Sequence, residues 1–546
     1  MLRVLAAFFA LAISVPAATV AKAEAAAANA EGQGTVKGSP KKPETKDAGR
    51  ADPRQAAKDR AAQTEFLHGP LTAIDLEIPD AEVEKLRKEP RQYVQGTLRS
   101  GGRTWAKVAL KLKGAQGSFR PIDDKPCFTF NFAKFEGAQR FHGFHKAHLN
   151  NSKEDPSFLR QQLCGEMVRA AGTPAIRCTH AWVKLNGRDL GLYVFTEGYT
   201  PDLLAPFFAD PGGDLYEGGF CKDIDTELTK DLGDTKDFTA IKTLIAACGV
   251  DEAKERWQKL RTILDTDRYA TFLSLESLMV IGDSYDFFRN NYRIYHDPKT
   301  RQLSFIPHGM DEPFKDVESS IQRMPDSMVG RAFTACVEGR ALYRSRVAEL
   351  YARVFRARDW PAEIDAQRTK VLAFVAKHDA DLARELREPQ QQLREMVAGR
   401  IEYIGKSLGE MAAPLAFDKS GVARLTKGWL SKLEGDAKFD RSEKALRIVA
   451  EGECHGSWRC PVELEPGRYR FEARASTLGV EGDGVGLRIS GQEPTDTWLK
   501  GSVRDQALSY EFETPDSGQA VLVAELRATK GEATFAFDRF RLVKLK

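Results

Sequence analysis

A strand–turn–strand pattern near the middle of the chain constrains its fold more than any other segment. Residues 292–295 (Tyr-Arg-Ile-Tyr) and 303–307 (Leu-Ser-Phe-Ile-Pro) are rich in aromatic and β-branched residues, and Asp-Pro-Lys-Thr at 297–300 is typical of a turn. The pattern therefore predicts a β-hairpin. Carboxylate and amide side chains stand at both of its ends, and these are Asp283, Asp286, Asn290, Asn291 and Asp311.

These side chains indicate a metal site. Hard oxygen ligands gathered at one end of a hairpin suit Mg²⁺, which binds carboxylates together with phosphate oxygens. Protein kinases combine a catalytic-base Asp, an Asn five residues later that binds one metal ion, and a second Asp that binds the other. Asp286 and Asn291 have this spacing, and Asp311 is a candidate for the second metal-binding Asp. The alternative is that these residues cap turns, which is a common role of Asp and Asn.

The charge balance argues against a nucleic-acid partner. The 81 basic and 78 acidic side chains leave a formal net charge of +3 over 546 residues. Such a balance provides no general electrostatic attraction for nucleic acid. The length is sufficient for two or three domains with a large core.

The N-terminal segment predicts export. Residues 1–23 combine an early Arg, an apolar run at 5–15 and Ala-Lys-Ala at 21–23, as in a secretory signal peptide. Residues 24–62 contain no aromatic residue and are rich in Ala, Lys, Pro and Gly, so we expect a disordered linker. No later segment has the roughly 18 consecutive apolar residues that a membrane helix needs. We therefore expect a secreted, periplasmic or cell-surface protein without a transmembrane segment.

The hairpin and its flanks resemble the CotH kinase family, the spore-coat-protein-H-like secreted kinases with an atypical protein-kinase-like fold. The matching residues are 283–285 (Asp-Ser-Tyr), 290–298 (Asn-Asn-Tyr-Arg-Ile-Tyr-His-Asp-Pro) and 305–311 (Phe-Ile-Pro-His-Gly-Met-Asp). In this resemblance Asp283, not Asp286, corresponds to the family's catalytic aspartate. The spacing and the resemblance therefore select different residues as the base.

The resemblance implies an α+β fold with a two-lobed, atypical protein-kinase-like domain at residues 63–411. It further implies that ATP is the phosphate donor, and that Asn291 and Asp311 hold Mg²⁺ or Mn²⁺. The family's Gly/Ser loop followed by Lys-Pro-aromatic is matched by residues 114–118 and 125–128. This match suggests Lys125 as the cation that faces the phosphates.

Two glutamates complete the predicted nucleotide site. Glu166 lies on a predicted helix at 158–171 and is the candidate partner of the phosphate-facing Lys, as in the kinase scheme. Glu197 ends a hairpin that turns at Asn186 and Gly187, the strongest short-range hairpin signal in the chain. In a kinase-like architecture Glu197 would border the purine pocket.

Two positions depart from the family pattern. Many relatives carry Trp-Asp-x-Asp before the last strand of this segment ends, whereas this chain has Gly309 in place of the first acid. Relatives usually carry Leu-Tyr-Lys where this chain has Leu-Tyr-Glu, which reverses the charge at Glu217.

Residues 415–546 predict a second domain. Short alternating strands recur between turns, which is typical of a β-sandwich, and several segments resemble jelly-roll domains of the carbohydrate-binding-module type. Trp458 is a candidate for stacking on a sugar, with a core position as the alternative. Cys454 and Cys460 flank a short predicted loop, residues 455–459, and in an exported protein are candidates for a disulfide bond.

Together these features predict an exported, metal-dependent kinase that transfers phosphate from ATP to Ser or Thr of a surface or secreted protein. A glycan is a candidate partner of the second domain. The alternative is a catalytically inactive kinase-like protein that binds glycan at the cell surface, since ATP is scarce outside the cell.

Overall fold

The computed structural model describes residues 53–115, 117–233, 236–410, 415–426, 428–442, 444–465, 467–492, 498–514 and 519–545. The predicted signal peptide and the first part of the predicted linker lie outside these residues. From Ala56 onward the chain forms one compact unit of mixed helices and sheets. Among the described residues, no helix is both long enough and apolar enough to cross a membrane.

The first described element is a helix, α1 (Pro53–His68). The predicted disordered linker is therefore wrong for residues 53–62. This segment is rich in Ala and Gln, which favour a helix, and the helix is anchored by apolar residues that follow. The ring of Phe66 lies 4.9 Å from that of Phe195, and the amide of Gln63 donates to the carbonyl of Gly143 at 2.9 Å.

Seven strands form a closed barrel in the order β1-β2-β3-β4-β5-β7-β6, which we call the N-terminal barrel. They are β1 (Thr72–Glu77), β2 (Val94–Ser100), β3 (Arg103–Lys113), β4 (Cys127–Asn131), β5 (Lys146–Asn150), β6 (Cys178–Leu185) and β7 (Arg188–Glu197). Helix α2 (Asp80–Lys88) follows β1, and helix α3 (Arg160–Ala170) follows β5. Neighbouring strands are antiparallel except β1 and β6, whose parallel pairing closes the barrel.

The predicted hairpin at Asn186 and Gly187 is confirmed as the β6–β7 turn. Both residues have positive φ, 49° and 80°, as the tightest hairpin turns require.

The helical part covers residues 201–410. Its elements are α4 (Pro201–Leu204), β8 (Asp214–Glu217), β9 (Thr229–Leu232), α5 (Thr239–Cys248), α6 (Ala253–Ile263), α7 (Thr266–Leu278), α8 (Tyr285–Phe288), β10 (Tyr292–His296), β11 (Leu303–Pro307), α9 (Met328–Thr334), α10 (Val337–Leu350), a π-helix (Tyr351–Phe355), α11 (Trp360–Val375), α12 (Ala380–Glu385) and α13 (Arg387–Glu410). Its four strands form a sheet in the order β11-β10-β8-β9. The hairpin predicted from the sequence is confirmed as β10 and β11, with Ile294 opposite Phe305.

The C-terminal strand region covers residues 415–545 and has its own apolar core. Its strands are β12 (Val422–Arg424), β13 (Leu430–Arg441), β14 (Ala445–Glu463), β15 (Arg468–Ile489), β16 (Leu499–Glu513), β17 (Gln519–Ala528), β18 (Lys530–Ala536) and β19 (Arg541–Lys544), with a 3₁₀ turn at Phe537–Arg539. All of their pairings are antiparallel. The sequence predicted several short strands, whereas β14 and β15 are long and change partners along their length.

Trp458 belongs to this core. It is 5% exposed, its ring packs edge-on against Phe439 at 5.3 Å, and its indole N–H donates to the carbonyl of Arg447 at 3.3 Å. The suggestion that Trp458 stacks on a sugar is therefore wrong. Successive residues of a strand point to opposite faces, so Ser457 and Arg459 lie on the other face of the sheet.

The predicted disulfide between Cys454 and Cys460 is also wrong. Both thiols are free and buried, and both cysteines lie on β14. A strand advances about 3.3 Å per residue, so their Cα atoms are roughly 20 Å apart. A disulfide needs a Cα separation below about 7 Å. The segment between them was interpreted as a loop, but it is extended strand.

A buried ion cluster joins the C-terminal strand region to the helical part. Glu463 on β14 is 9% exposed and pairs with Arg340 at 3.4 Å and with Arg344, both on α10. Arg340 Nη2 also lies 3.4 Å from the carbonyl oxygen of Leu464, to which it donates.

Candidate active site

A cavity of about 680 Å³ lies where the N-terminal barrel faces the helical part. This volume is in the range of sites that hold a small organic ligand. From the barrel side it is lined by Lys111, Lys113 and Asn150, which lie at the ends of β3 and β5. From the helical part its lining includes Glu217, Asp231, Asp283, Asn290, Asn291, Arg293 and Asp311. We call this cavity the cleft.

Asp283 is held in the cleft by two asparagine amides. Asn290 Nδ2 donates to Oδ1 of Asp283 at 2.9 Å, and Asn291 Nδ2 donates to Oδ2 at 2.9 Å. The chain makes this possible by adopting left-handed conformations at Arg289 and Asn291, with φ values of 55° and 52°. Asn tolerates this conformation better than most residues. The carboxylate therefore has a fixed orientation at the mouth of the β10–β11 hairpin.

Gly309 lies directly against Asn291. A Cβ atom on Gly309 would stand 2.5 Å from Oδ1 of Asn291, and its φ of 62° also disfavours a side chain. This contact gives a local reason for the departure from the family pattern, because no acid fits at position 309 while Asn291 keeps this orientation.

Asp311 is a poorly solvated carboxylate that faces the cleft. Burial, with a smaller contribution from the charges of Glu312 and Asp155, raises its pKa to about 6, while a backbone hydrogen bond and the charge of Lys113 oppose this shift. A bound cation would favour the ionised form of such a group.

Lys113 presents an ammonium group to the cleft from the end of β3. Its Nζ donates to Oδ1 of Asn150 at 2.8 Å, and Asn150 Nδ2 donates to Oε1 of Gln161 on α3 at 3.0 Å. Burial lowers the pKa of Lys113. In protein kinases a lysine on the third strand is held by a helical glutamate. The side chains that Lys113 bonds here, Asn150 directly and Gln161 through it, are neutral, so neither cancels the positive charge of the ammonium group.

The glycine loop that follows β3 borders the same cavity. Gly114 and Gly117 line the cleft with φ values of 109° and 90°. A Cβ on Gly114 would stand 2.9 Å from the backbone of Phe119, and one on Gly117 would stand 2.6 Å from Oε1 of Glu154. Glycine is required for this tight path, which brings backbone close to the cavity.

Arg293 on β10 compensates the charge reversal at Glu217. Its guanidinium donates to Oε1 of Glu217 at 2.8 Å and to Oδ2 of Asp231 at 2.7 Å, and it lies 3.5 Å above the ring of Tyr199. Glu217 is therefore half of an ion pair, and its negative charge is offset within the cleft wall.

Lys125 is not brought to the cleft. Its Nζ lies 5.2 Å from the ring centres of both Phe158 and Tyr193, and burial lowers its pKa to about 8. The cleft is instead lined by Lys113, which the sequence analysis did not select and whose signal was its position immediately before the glycine loop.

Glu166 and Glu197 also lie away from the cleft. On α3, Gln161 faces the cavity, and Glu166 lies five residues later, about 140° around the helix. Glu166 instead accepts from Gln367 Nε2 at 3.2 Å. Glu197 forms a buried ion pair with Arg177 at 2.6 Å, because strand alternation points it away from the face on which Thr196 lines the cavity.

Asp286, the residue selected by spacing, is fully buried outside the cleft. Its Oδ1 accepts from the hydroxyls of Tyr269 at 2.6 Å and Ser327 at 2.5 Å. Its main-chain N–H donates to the buried carboxyl of Glu276 at 3.1 Å. Burial raises the pKa of both carboxyls. This arrangement fixes α8 to the core, immediately after Asp283.

The donor set of the cleft suits a magnesium ion better than a zinc ion. Within the described residues, no three His, Cys, Asp or Glu side chains converge to hold a metal. Asp311 offers a carboxylate and Asn291 an amide oxygen, because the amide nitrogen of Asn291 is turned to Asp283. Mg²⁺ typically takes one or two protein oxygens and completes its shell with phosphate and water. The residues present therefore fit this ion.

The family model for "CotH kinase protein" matches residues 110–404 of the chain. Among characterised proteins, the chain is 25% identical over 191 residues to inner spore coat protein H of Bacillus subtilis, covering 32% of this chain and 52% of that protein. It is 22% identical over 288 residues to invasin CotH2 of Rhizopus delemar, covering 48% of each. The chain thus spans about half the length of the curated relatives it matches.

Two solved structures show weak likeness to parts of the chain. A Helicobacter pylori proinflammatory kinase, CtkA, is 8% identical with a TM-score of 0.24, covering 58% of this chain and 98% of that one. TmCBM61 in complex with β-1,4-galactotriose is 17% identical with a TM-score of 0.17, covering 21% of this chain and 88% of that one. Both scores are too low to assign a fold.

Proposed function

Because the chain belongs to the CotH kinase protein family, we propose that it transfers phosphate from ATP to a Ser or Thr hydroxyl of a surface or secreted protein. The observation that carries this proposal is the convergence of Asp283, Asn291, Asp311 and Lys113 on one cleft. Two carboxylates, an amide oxygen and a buried ammonium group are the parts that phosphoryl transfer needs for positioning and charge neutralisation.

Each side chain has a proposed role. Lys113 binds phosphate oxygens, since its charge has only neutral partners in the relay to Gln161. Asp283 accepts the proton of the attacking hydroxyl, and the amides of Asn290 and Asn291 hold its carboxylate in place for this step. Asn291 and Asp311 would hold the metal ion. When bound, Mg²⁺ or Mn²⁺ would neutralise charge on the phosphates.

The glycine loop and the barrel side chains would enclose the phosphates. Gly114 and Gly117 allow main-chain N–H groups to approach a polyanion closely. Lys111 and Lys146 add positive charge on the same wall of the cleft. The barrel side is therefore suited to the nucleotide, which leaves Asp283 at the opposite wall for the acceptor hydroxyl.

We also propose the domain division expected from the sequence. Residues 63–411 would form the kinase-like unit, and residues 415–546 a jelly-roll β-sandwich that attaches the protein to glycan after export. The separate apolar core of the C-terminal strand region supports this division.

The test is label transfer from γ-labelled ATP with Mg²⁺ or Mn²⁺, using the full chain and a generic protein acceptor. We expect transfer by the parent and loss of metal-dependent nucleotide binding in Asp311→Asn. Asp316→Asn is the matched control, since Asp316 is an exposed acid outside the cleft. Unchanged nucleotide affinity in a folded Asp311→Asn variant would show that Asp311 does not bind the metal ion.

The rival function is a catalytically inactive glycan-binding protein. The observation that favours it is that Glu217 places a carboxylate in the cleft wall where relatives usually carry a lysine. Under this alternative, the parent would show no label transfer with either metal while still binding the cell surface. Label transfer that the parent shows and that the Asp283→Asn variant loses would reject this inactive alternative.

A further inference from the structure

The C-terminal strand region carries a polar sheet face opposite its core. Cross-strand partners share a face, and the register aligns His455 with Arg527, Ser457 with Glu525, and Glu525 with Gly486. Residues at alternating positions of β13, β14, β17 and β15 therefore form one surface, which we call the outer face. Its principal members are Lys432, Glu434, His455, Ser457, Arg459, Gly484, Gly486, Arg488, Glu525 and Arg527.

Glu525 is the centre of the outer face. It is fully buried, and both of its carboxylate oxygens are hydrogen bonded. Oε2 is 2.7 Å from His455 Nε2, and Oε1 accepts from Arg488 Nε at 2.9 Å and lies 3.0 Å from Arg527 Nη2. Glu525 thus bonds His455 and Arg488 on the two neighbouring strands and Arg527 on its own strand. These bonds fix the positions of the three side chains. Glu525 therefore acts as a positioning residue.

The outer face carries more positive than negative charge. Arg459 lies beside Arg488 and donates to the hydroxyls of Ser457 and Ser490, at 3.1 and 3.3 Å. Within the described residues it has no carboxylate at ion-pair distance. The guanidinium groups of Arg488 and Arg527 thus bond the buried carboxylate of Glu525, and that of Arg459 adds a further positive charge. Lys432 and Glu434 at the rim pair with each other at 2.9 Å. The face is complementary to an anion.

An aromatic platform adjoins these guanidinium groups. The indole of Trp498 lies on Gly486, where a Cβ atom would stand 3.2 Å from its Cε3. Arg527 lies 5.3 Å from the centre of the ring. Because Gly484 and Gly486 have no side chains, the indole of Trp498 packs directly on the sheet. Trp498 remains partly exposed.

We infer that the outer face binds an acidic saccharide, that is, a sugar chain bearing carboxylates. A flat indole provides an apolar surface for a sugar ring, and adjacent guanidinium groups recognise a carboxylate through charge-assisted hydrogen bonds. Trp498 stacks on the ring, and Arg527 beside it binds the carboxylate. Glu525 holds Arg527 and Arg488 in place, and Arg459 adds positive charge further along the same face. This inference rests on the proposed glycan attachment and names its site and the chemistry of its sugar.

The experiment is affinity electrophoresis of the full chain in gels that contain polygalacturonate or its fully methyl-esterified form. The two polymers share a backbone and differ in the charge of the carboxyl group. We expect retardation only by the acidic polymer, weakened by added salt. Trp498→Ala and Arg527→Gln should each weaken binding at least tenfold. Arg474→Gln, an exposed arginine on another part of β15, is the charge-matched control and should change binding less than twofold.

The outcomes separate the acidic-saccharide site from the broader proposal that the protein attaches to glycan. Equal binding of the acidic and esterified polymers, or binding unaffected by both Trp498→Ala and Arg527→Gln, would overturn the acidic-saccharide site while leaving glycan attachment intact. Absence of binding to polygalacturonate would overturn it as well. Binding of dextran sulfate as tight as that of polygalacturonate would show a general polyanion surface and would also reject a sugar-carboxylate site. The melting temperature of each variant is measured in parallel, so that lost binding is distinguished from lost folding.

Discussion

Asn291 bonds Asp283 twice through a single amide group. Its Nδ2 donates to the carboxylate Oδ2 at 2.9 Å and to the main-chain carbonyl oxygen at 2.8 Å. Because the nitrogen of this amide is committed to Asp283, the oxygen faces away from it, against Gly309. The residue proposed to hold metal thus also orients the proposed base, which couples two functions through one side chain.

The first prediction separates the two candidate bases. Asp283→Asn should reduce label transfer by roughly a hundredfold or more, which is the usual contribution of a general base. Asp286→Asn should reduce it much less, since Asp286 is buried outside the cleft. The measurement is the initial rate of transfer at saturating ATP. The reverse order would mean that the spacing of Asp286 and Asn291 identifies the base.

A second prediction concerns the pH dependence of stability. Burial raises the pKa of Asp286 to about 7 in the folded protein, against about 4 for an unfolded aspartate. The folded protein keeps this proton while the unfolded chain releases it, so stability should fall as the pH rises from about 4 to about 7.

Asp286→Asn should flatten this dependence, because an amide carries no proton to lose and keeps an oxygen acceptor for Tyr269 and Ser327. The melting temperature between pH 4 and pH 8 measures the effect. Burial also raises the pKa of Glu276, which contributes in both proteins. An unchanged slope in the variant would assign the dependence to Glu276.

The third prediction compares two lysines. Lys113→Met should weaken ATP binding by about tenfold or more, since a hydrogen bond to a charged group is worth about 1.5–3 kcal/mol. Lys125→Met makes the same chemical change outside the cleft and should leave ATP affinity nearly unaltered. Calorimetric titration with ATP and Mn²⁺ measures both. Loss of affinity in Lys125→Met alone would restore the assignment made from the sequence.

A fourth prediction tests the contact between Gly309 and Asn291. Gly309→Ala should destabilise the protein by about 1–2 kcal/mol through its left-handed backbone alone. It should also lower label transfer, because the new methyl group displaces Asn291. Gly282→Ala is the matched control, since a Cβ at that position meets no atom within 4 Å. Equal transfer rates in the two variants would mean that Asn291 tolerates displacement.

The fifth prediction addresses the C-terminal strand region. Residues 415–546, expressed alone, should melt cooperatively because they have their own core. Trp458→Ala should destabilise this fragment by about 3–5 kcal/mol, as expected for a buried Trp. Reducing agent should have no effect, since Cys454 and Cys460 are free. A fragment that is soluble only together with Arg340 and Arg344 would show that the ion cluster at Glu463 is required for folding.

Local pattern was sufficient to predict the β10–β11 hairpin and the β6–β7 turn, because both are determined by residues adjacent in sequence. It also selected Asn291 and Asp311, whereas Asp283 was selected only by the family resemblance; all three line one cleft. The choice between Lys113 and Lys125 could not be made this way. Lys113 ends the strand before the glycine loop and Lys125 stands two residues before the strand that follows the loop. Which of them faces the cleft depends on how distant strands close the barrel.

In the C-terminal strand region, local pattern was likewise insufficient to place a single side chain on the correct face of the sheet. The sequence singles out Trp458, but the face on which it and its neighbours Ser457 and Arg459 lie depends on register. The actual register puts Trp458 in the core and Arg459 on the outer face. Trp498, which sits beside the arginines, lies in a segment without a clear strand pattern. Its role depends on Gly486, a residue of another strand.

The parallel pair that closes the N-terminal barrel has a consequence for biosynthesis. Thr72 on β1 is aligned with Ala181 on β6, more than a hundred residues later in the chain. During translation, β1 can pair with β2 but must leave its other edge open until β6 has emerged. A ribosome adding about 5–20 residues per second would take several seconds to do so. An open edge invites pairing with another chain, so this interval is when the nascent protein most needs a chaperone.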